Sequence, residues 1–323
     1  MTWALPALAL AAGVWALIWS SDRFVVGASG IAAFFNMSPL LIGIVIVGLG
    51  TSTPELVVSA SSALKGNPAL ALGNAYGSNI ANIGLILGFA ALITPIRFNS
   101  SLLRKELPLL TLVTLVSFAV LYDLELSRWN GVFLLVLFAL VMTVIIRTSL
   151  KNPDDEWIKS IANEIPAGPT SLKKSSFQLI VGLAVLMVSS KAVVWGAVEL
   201  AHLAGVSELI IGLTVVAIGT SLPELASTLT AIRKGEHDMA LGNVVGSNLF
   251  NTLAVVGLAT VLHPFDLDAE VLTRDMPVMS FLTLSLFLIG WGRHGKGRIN
   301  RFEGAFLLSC FVAYTLWLFR TVF

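Results

Sequence analysis

The sequence is short of cysteine, histidine and charge. Its 323 residues include one cysteine, Cys310, and four histidines. A single cysteine cannot form a disulfide within the chain, and so few soft ligands argue against a zinc or copper centre. Charged side chains make up 12% of the residues, whereas hydrophobic ones make up 56%. That balance is too apolar for a water-soluble globule of this size and indicates a polytopic membrane protein.

The basic residues and the histidines argue against nucleic-acid binding and against a histidine proton relay. The formal net charge at pH 7 is +1, and no basic and aromatic patch is present, so no nucleic-acid partner is expected. The histidines fall in connections or at the ends of apolar segments, which argues against a histidine proton relay through the membrane. They are His202, His237, His263 and His294.

The apolar residues form ten segments of about 20 residues, the length that crosses a hydrocarbon core. No Lys or Arg precedes the first segment, so we expect a membrane span there and not a cleaved signal peptide. Its helix is expected to continue to about residue 35. The predicted spans lie near residues 3–20, 39–63, 69–94, 106–122, 130–147, 176–203, 208–232, 239–262, 275–291 and 303–321.

The connections on the two predicted sides of the membrane differ in their basic residues. Of the 20 Lys and Arg residues, 14 fall on one side and two lie within spans. Because the cytoplasmic side is normally the richer in Lys and Arg, both termini are predicted to lie outside. The four basic residues on the poorer side are Lys65, Arg128, Arg274 and Arg320.

The chain contains one unit twice. Positions 55 and 224 differ by 169 residues, and the same offset relates many residues of the two halves. Past an insertion of four residues, the register resumes to the end of the chain. The sequence therefore predicts two halves of five spans each. Related pairs include Gly13 and Gly182, Ser38 and Ser207, Gly73 and Gly242, Pro108 and Pro277, and Arg128 and Arg301.

Because five is odd, the second half enters the membrane in the opposite sense to the first. The predicted fold is an all-α polytopic membrane protein with ten transmembrane helices, arranged as two inverted five-helix repeats. This architecture is the usual frame of a secondary transporter. We predict a first repeat at residues 1–148, a cytoplasmic linker at 149–175 and a second repeat at 176–323.

Each half has a proline and a glutamate in the middle of an apolar segment. Pro54 has no amide proton and therefore frees the carbonyl of Gly50, and Pro223 does the same for Gly219. An ionisable side chain at such a depth is costly and marks a functional site. The two segments run from Gly48 to Glu55 and from Ala217 to Glu224.

Further oxygen ligands recur on these helices and on the next span of each half. Thr51 and Glu55 are four residues apart, so their hydroxyl and carboxylate share one helical face. In the next span, Asn, Ser and Asn follow at i, i+4 and i+8 and form a polar stripe. The members of the two sets, besides Thr51 and Glu55, are Thr220 and Glu224; Asn74, Ser78 and Asn82; and Asn243, Ser247 and Asn251.

Polar side chains in membrane helices often serve only as hydrogen bonds between helices. Here, however, two buried carboxylates have no buried Lys or Arg at matched depth, and a cation is the natural compensation. Carboxylate, carboxamide, hydroxyl and carbonyl oxygens suit hard cations such as Ca2+ and Na+. A formal charge of about −2 would be balanced by one Ca2+ or by two Na+, and the two loadings would compete for the same oxygens.

These motifs resemble the two alpha-repeats of the cation/Ca2+ exchanger superfamily, and within it the prokaryotic Na+/Ca2+ exchangers. The resemblance rests on Gly50 to Glu55 and Gly219 to Glu224, together with Gly73 to Asn79 and Gly242 to Asn248. It implies a core of eight helices that holds the ion sites, in the inner or plasma membrane of a prokaryote. The first span of each half would form a two-helix gate that slides across that core.

The resemblance also implies roles for individual residues. Glu55 and Glu224 would be the central carboxylates shared by Ca2+ and Na+, with Thr51 and Thr220 as further ligands. The carbonyls of Gly48 and Ala217 would add to them. Some relatives have an acidic residue where this chain has Asn251, which makes potassium coupling less favoured here. The residues that would complete the sodium sites are Ser52, Ser78, Asn82, Ser221, Ser247 and Asn251.

The leading hypothesis is thus an antiporter that exchanges Ca2+ for Na+ by alternating access. A Ca2+/H+ antiporter is the alternative within transport, because buried glutamates can carry protons. A cation channel is disfavoured, since an inverted repeat supplies one central site and no row of ions. No His or Lys base accompanies the hydroxyl groups, so no enzyme activity is expected. Ca2+ and Na+ are the expected ligands, no cofactor is expected, and no protein partner is indicated.

Overall fold

The structure is a computed structural model that describes residues 3–97, 102–151, 171–205, 217–290 and 297–322. It is built from helices joined by short connections. In chain order the helices are α1 (Ala4–Phe34), α2 (Pro39–Thr51), α3 (Thr53–Leu64), α4 (Pro68–Ile93), α5 (Leu107–Val120), α6 (Arg128–Lys151), α7 (Leu172–Leu203), α8 (Ala217–Thr220), α9 (Leu222–Arg233), α10 (His237–Leu262), α11 (Val271–Gly290) and α12 (Arg301–Val322).

Among the described residues, seven helices are long and apolar enough to cross a membrane. The pair α2 and α3 would make an eighth span, bent by 43° at the break between them. Helix α5 has 14 residues and follows a π-helical turn at Leu102–Glu106. The predicted span at 208–232 is described only from residue 217. The membrane class is therefore confirmed, and the count of ten spans stays a prediction.

The boundaries of the longest helices differ from the predicted ones. Helix α1 has 31 residues and ends at Phe34, which confirms the extension beyond residue 20. Helix α7 has 32 residues and begins at Leu172, four residues before the predicted start of that span. Helix α6 ends at Lys151, so helices extend into both ends of the segment predicted as a linker. The rest of that segment, residues 152–170, lies outside the described residues.

Helices α4 and α10 form the centre of the protein. In the most apolar 18-residue stretch of each helix, 72% of the residues of α4 and 83% of those of α10 are buried inside the protein. The corresponding shares are 28% for α1 and 22% for α7. Each central helix contains one π-helical turn, at Asn82–Leu87 and at Phe250–Val255. Turns of this kind interrupt the regular helical hydrogen bonds and are frequent at functional sites.

Two pairs of short strands connect the halves of the chain. Strand β1 (Ile96–Arg97) pairs antiparallel with β4 (Arg298–Ile299), and β2 (Glu125–Leu126) pairs antiparallel with β3 (Phe265–Asp266). The 169-residue offset relates β1 to β3. Beyond the insertion, an offset of 173 residues relates β2 to β4. The two pairings are therefore equivalent under the repeat.

Helices α1 and α7 pack against each other along their length. Gly13 lies against Val193 and Gly27 against Leu179, so the two helices run antiparallel. A β-carbon at Gly182 would lie 2.5 Å from the backbone nitrogen of Phe24. Small residues of this kind allow the backbones of membrane helices to approach closely.

Replacing Gly182 with leucine is expected to separate α1 from α7. The clash is with backbone, which cannot move aside, and overpacking of this type costs about 1–3 kcal/mol or more. The thermal midpoint of the detergent-purified protein should fall by several degrees. Val188→Leu adds bulk to a position of α7 that is 68% exposed and should leave the midpoint unchanged. Equal midpoints for the two variants would contradict the close packing.

Candidate cation site

The site is built around two interrupted helices. Helix α2 ends at Thr51 and α3 begins at Thr53, with Pro54 in its first turn. In the second half, α8 ends at Thr220 and α9 begins at Leu222, again with a proline in its first turn. A proline in this position cannot donate to the carbonyl four residues earlier. Each interruption therefore exposes carbonyl oxygens at the end of one helix and amide groups at the start of the next.

The two glutamates lie in the first turns of α3 and α9 and are buried. Glu55 is 0% exposed and Glu224 is 1% exposed. The amino-terminal end of a helix favours negative charge, which helps to hold a carboxylate there. No ion pair within the described part of the chain includes either glutamate. Two buried carboxylates thus lack a cationic side chain.

Hydrogen bonds connect the two halves directly at these glutamates. The Ser52 hydroxyl donates to Oε1 of Glu224 at 2.9 Å. The Thr51 hydroxyl is 3.1 Å from Oδ1 of Asn243 and donates to the carbonyl of Val47 at 3.0 Å. Residues that the sequence assigned to separate repeats therefore meet at one place.

The next helices supply a second layer of contacts. The Ser247 hydroxyl donates to the carbonyl of Gly48 at 3.3 Å, and this carbonyl also accepts from the amide of Ser52. The Asn82 amide donates to Oδ1 of Asn248 at 2.9 Å, which joins the π-helical turn of α4 to α10. Ser78 is buried on α4 at 4% exposure. The stripes predicted on the two central helices thus face the same interior.

Several buried oxygens at the centre have no hydrogen-bond partner within the described residues. Buried polar groups are normally satisfied, so a cluster of unsatisfied oxygens calls for an explanation. Both carboxylate oxygens of Glu55 and Oε2 of Glu224 belong to it. A desolvated carboxylate without a partner is especially unfavourable, and a bound cation would remove that cost. The remaining members are the Ser221 hydroxyl and the side-chain carbonyls of Asn79, Asn82 and Asn251.

Asn74 and Asn243 hold the backbone of the glutamates. The Asn243 amide is within 3.3 Å of the Glu224 carbonyl, 3.0 Å of the Ser227 hydroxyl and 2.9 Å of the Thr228 hydroxyl. In the first half, the Asn74 amide is 3.4 Å from the carbonyl of Glu55. These contacts fasten α10 to α9 and α4 to α3. They fix the helical turns on which the carboxylates stand.

The two halves of the site differ in exposure. Thr51 and Asn243 are buried, whereas their counterparts under the repeat, Thr220 and Asn74, are only partly buried. Ala217, also predicted as a ligand, is the first residue of α8. On α4, Gly73 next to Asn74 is exposed. The end of the candidate site at Asn74 and Thr220 is therefore less buried than the end at Asn243 and Thr51.

Sequence reasoning did not assign roles to several residues that line the centre. The Asn79 amide donates to the Thr252 hydroxyl at 2.8 Å, and Asn248 accepts from Asn82. Ser190 of α7 donates to the carbonyl of Gly219 at 3.2 Å. The available signal was the repeat itself, since the 169-residue offset relates Asn79 to Asn248.

The arrangement has the chemistry to bind a hard cation. The buried groups that could ligate a cation are all oxygens, and they belong to carboxylates, hydroxyls, carboxamides and main-chain carbonyls. Ca2+ takes six to eight such ligands in flexible geometry. The buried acceptor cluster and the interrupted helices are together typical of an ion transporter.

Comparison with known proteins agrees with this geometry. The sequence model of the family described as "Sodium/calcium exchanger protein" matches residues 5–147 and 174–320. The "Putative antiporter CaxA" of Alkalimonas amylolytica is 46% identical over 310 residues, covering 96% of this chain and 97% of its own. The "Sodium/calcium exchanger MaX1" of Methanosarcina acetivorans is 31% identical over 353 residues, with 97% and 98% covered.

The fold is similar to that of a solved exchanger. A structure of the sodium-calcium exchanger NCX_Mj, soaked with 2.5 mM Na+ and 0.1 mM Ca2+, matches with a TM-score of 0.82 at 30% identity. The match covers 96% of this chain and 97% of that one. This chain therefore has an all-helical polytopic membrane fold like that of NCX_Mj.

Proposed function

The chain belongs to the sodium/calcium exchanger family, and on this premise we propose that it exchanges Ca2+ for Na+ by alternating access. The observation that carries the proposal is the buried pair Glu55 and Glu224. Three of their four carboxylate oxygens have no hydrogen-bond partner in the described part of the chain. A transported cation would supply the missing charge, and its departure would require another cation to take its place.

In this proposal the two glutamates bind whichever cation is loaded. Thr51, Thr220 and the carbonyls of Gly48 and Ala217 add oxygens at the helix interruptions. Asn74 and Asn243 complete the predicted ligand set, and their amide contacts support a role in holding the glutamates as well. The sodium sites are completed by Ser52, Ser78, Asn82, Ser221, Ser247 and Asn251.

We further propose that the chain consists of two inverted five-helix repeats, residues 1–148 and 176–323, joined by the cytoplasmic linker 149–175. The family model matches one stretch in each half. The strand pairings β1 with β4 and β2 with β3 are equivalent under the repeat, which also supports two halves related by an approximate two-fold axis. The proposal includes ten spans, of which the one at 208–232 is described only from residue 217.

Exchange of conformations between the two halves would open the site to each side in turn. The unequal burial of Asn74 and Asn243 supports this, because related residues with equal contacts would be equally exposed. With both termini outside, α4 begins on the outer side, so the less buried end of the site, at Asn74, would face the outside. Positive charge in the connections supports this orientation. The membrane would be the inner or plasma membrane of a prokaryote.

Transport by purified protein in lipid vesicles tests the function. Vesicles loaded with Na+ and diluted into sodium-free medium with Ca2+ should take up Ca2+, and an ionophore that collapses the Na+ gradient should stop it. Uptake that a pH gradient drives without Na+ would replace this proposal with Ca2+/H+ exchange. Ion currents far above exchanger turnover would indicate a channel.

Replacing Asn251 with aspartate is expected to change the sodium dependence of exchange. Asn251 is 0% exposed and neither of its side-chain polar atoms has a partner among the described residues. A third carboxylate would add negative charge at the centre and strengthen cation binding there. The Na+ concentration for half-maximal flux should shift at least about threefold. Asn251→Ser keeps the site neutral and serves as the control; equal shifts in both variants would contradict a charge effect.

A further inference from the structure

Helices α1 and α9 are fastened together by two polar contacts away from the cation site. Nζ of Lys234 lies 2.6 Å from Oδ1 of Asp22, with the two side chains 35% and 49% exposed. One helical position earlier on α1, the Ser21 hydroxyl is 2.8 Å from that of Thr230. The ion pair lines a surface cavity of about 400 Å³, so it is not enclosed by protein.

The repeat gives each of these residues a counterpart. The 169-residue offset relates Ser21 to Ser190 and Thr230 to Ser61. These counterparts are both serines and could form the same hydrogen bond. The same offset relates Asp22 to Lys191 and Lys234 to Lys65. The ion pair of Asp22 and Lys234 thus corresponds, under the repeat, to a pair of two lysines.

The counterpart contact is absent from this structure. Among the described residues Lys65 and Lys191 are both exposed, and no hydrogen bond joins Ser190 to Ser61. Ser190 instead donates to the carbonyl of Gly219 within its own half. The two related serines therefore have different partners: Ser21 contacts the opposite half, whereas Ser190 contacts the interrupted helix of its own half.

We propose that Asp22 and Lys234 are positioning residues that favour this conformation, and that Lys191 and Lys65 disfavour the exchanged one. The inference rests on the proposed function, in which the two halves exchange conformations. In the exchanged state α7 would contact α3 as α1 contacts α9 here, with Ser190 near Ser61. Two lysines would then approach each other where this conformation has an ion pair.

The charge pattern thus makes the two transport states unequal. An exposed ion pair stabilises the conformation that contains it by up to about fivefold in the conformational equilibrium constant. A like-charge pair destabilises its conformation to a similar extent. Together they would bias the empty protein toward the conformation seen here. No residue of this set belongs to the cation site, so the bias acts on conformation and leaves ion ligands intact.

Disulfide trapping tests the proposal without measuring transport. A hydroxyl pair 2.8 Å apart is close enough for cysteines at the same positions to be bridged. In a Cys310→Ser protein, Ser21→Cys with Thr230→Cys should cross-link rapidly and report this conformation. Ser61→Cys with Ser190→Cys should cross-link slowly and report the exchanged one. Labelling rates of the single-cysteine proteins correct for differences in thiol reactivity.

The decisive variant is Lys191→Asp, which would place an acid opposite Lys65. It should raise the cross-linking rate of the 61 and 190 pair about tenfold, whereas Lys191→Gln should raise it about threefold. Adding Lys65→Asp to Lys191→Asp restores like charges and should return the slow rate. If Lys191→Asp prevents insertion, Lys65→Glu creates the same opposite-charge pair at the end of α3.

Two results would overturn the proposal. One is a cross-linking rate that stays within twofold across all charge variants. The other is no cross-link between positions 61 and 190 in a protein that still transports Ca2+. Because the readout is conformation, a failure of sodium coupling in vesicles would leave these rates unchanged, and the two failures can be told apart.

Discussion

Glu55→Gln and Glu224→Gln should each reduce Na+-driven Ca2+ flux to the level of empty vesicles. Glutamine keeps the shape of each side chain but removes one of the two negative charges that would balance a divalent cation. Both positions are fully buried, so no solvent would screen the loss. The variants should insert and purify normally, because glutamine removes a buried charge that lacks a cationic partner.

Glu125→Gln is the matched control. Glu125 is the exposed residue of strand β2 and lies far in sequence from the break between α2 and α3, so its replacement should leave flux unchanged. Thermal midpoints of all three variants would show whether a loss of flux is a loss of fold. Near-normal flux in either buried variant would refute a shared site at these carboxylates.

Gly246→Val and Gly77→Val should affect different properties, although the repeat relates the two positions. A β-carbon at Gly246 would lie 2.4 Å from the carbonyl oxygen of Ile44, where α10 crosses α2. Because a backbone carbonyl is in the way, valine there should lower the thermal midpoint by several degrees and abolish flux. Gly77 is only partly buried, and no atom of another described helix lies within 4 Å of its β-carbon position. Residue 213, which the repeat relates to Ile44, lies outside the described residues.

Because Gly77 is less buried than Gly246, Gly77→Val should lower the thermal midpoint less than Gly246→Val and still lose at least about tenfold of its flux. In the exchanged conformation Gly77 would be packed as closely as Gly246 is here, and a valine side chain would prevent that packing. Gly77→Ala, with a smaller side chain, should lose less. Equal flux in Gly77→Val and the parent protein, together with normal stability, would contradict the exchange of conformations between the halves.

The paired glutamates and the prolines beside them could be predicted because their cost in a membrane is local. A buried Glu55 needs compensation whatever surrounds it, and Pro54 interrupts its helix without regard to tertiary contacts. The repeat then identified the second half of the site. The helix interruptions and the burial of both carboxylates in the structure agree with that reasoning.

The partners across the centre could not be predicted in the same way. Periodicity places residues on one face of one helix, but it does not say which side chain of another helix lies opposite. The contacts from Ser52 to Glu224 and from Asn79 to Thr252 depend on how the halves are docked. The position of α7, where Ser190 meets the Gly219 carbonyl, depends on the same docking.

The unequal burial of the two halves of the site could not be predicted from the sequence either. Two repeats with matching motifs give no reason to expect that one end of the site is more buried than the other. Among the described residues Gly242 and Gly246 lie against α2, whereas Gly73 is exposed. Most of the segment that the repeat relates to α2 lies outside the described residues. The unequal charges at Asp22 and Lys191 are a sequence feature whose meaning required the contact with Lys234.

Equilibrium binding of Ca2+ to the purified protein, titrated against Na+, tests the central claim most directly. If one buried oxygen cluster holds either cation, the protein should bind one Ca2+ per chain at that site. Its apparent affinity should fall steadily as Na+ rises, and Glu55→Gln and Glu224→Gln should each abolish that binding. Ca2+ binding that is indifferent to Na+, or that survives in both variants, would contradict a shared site.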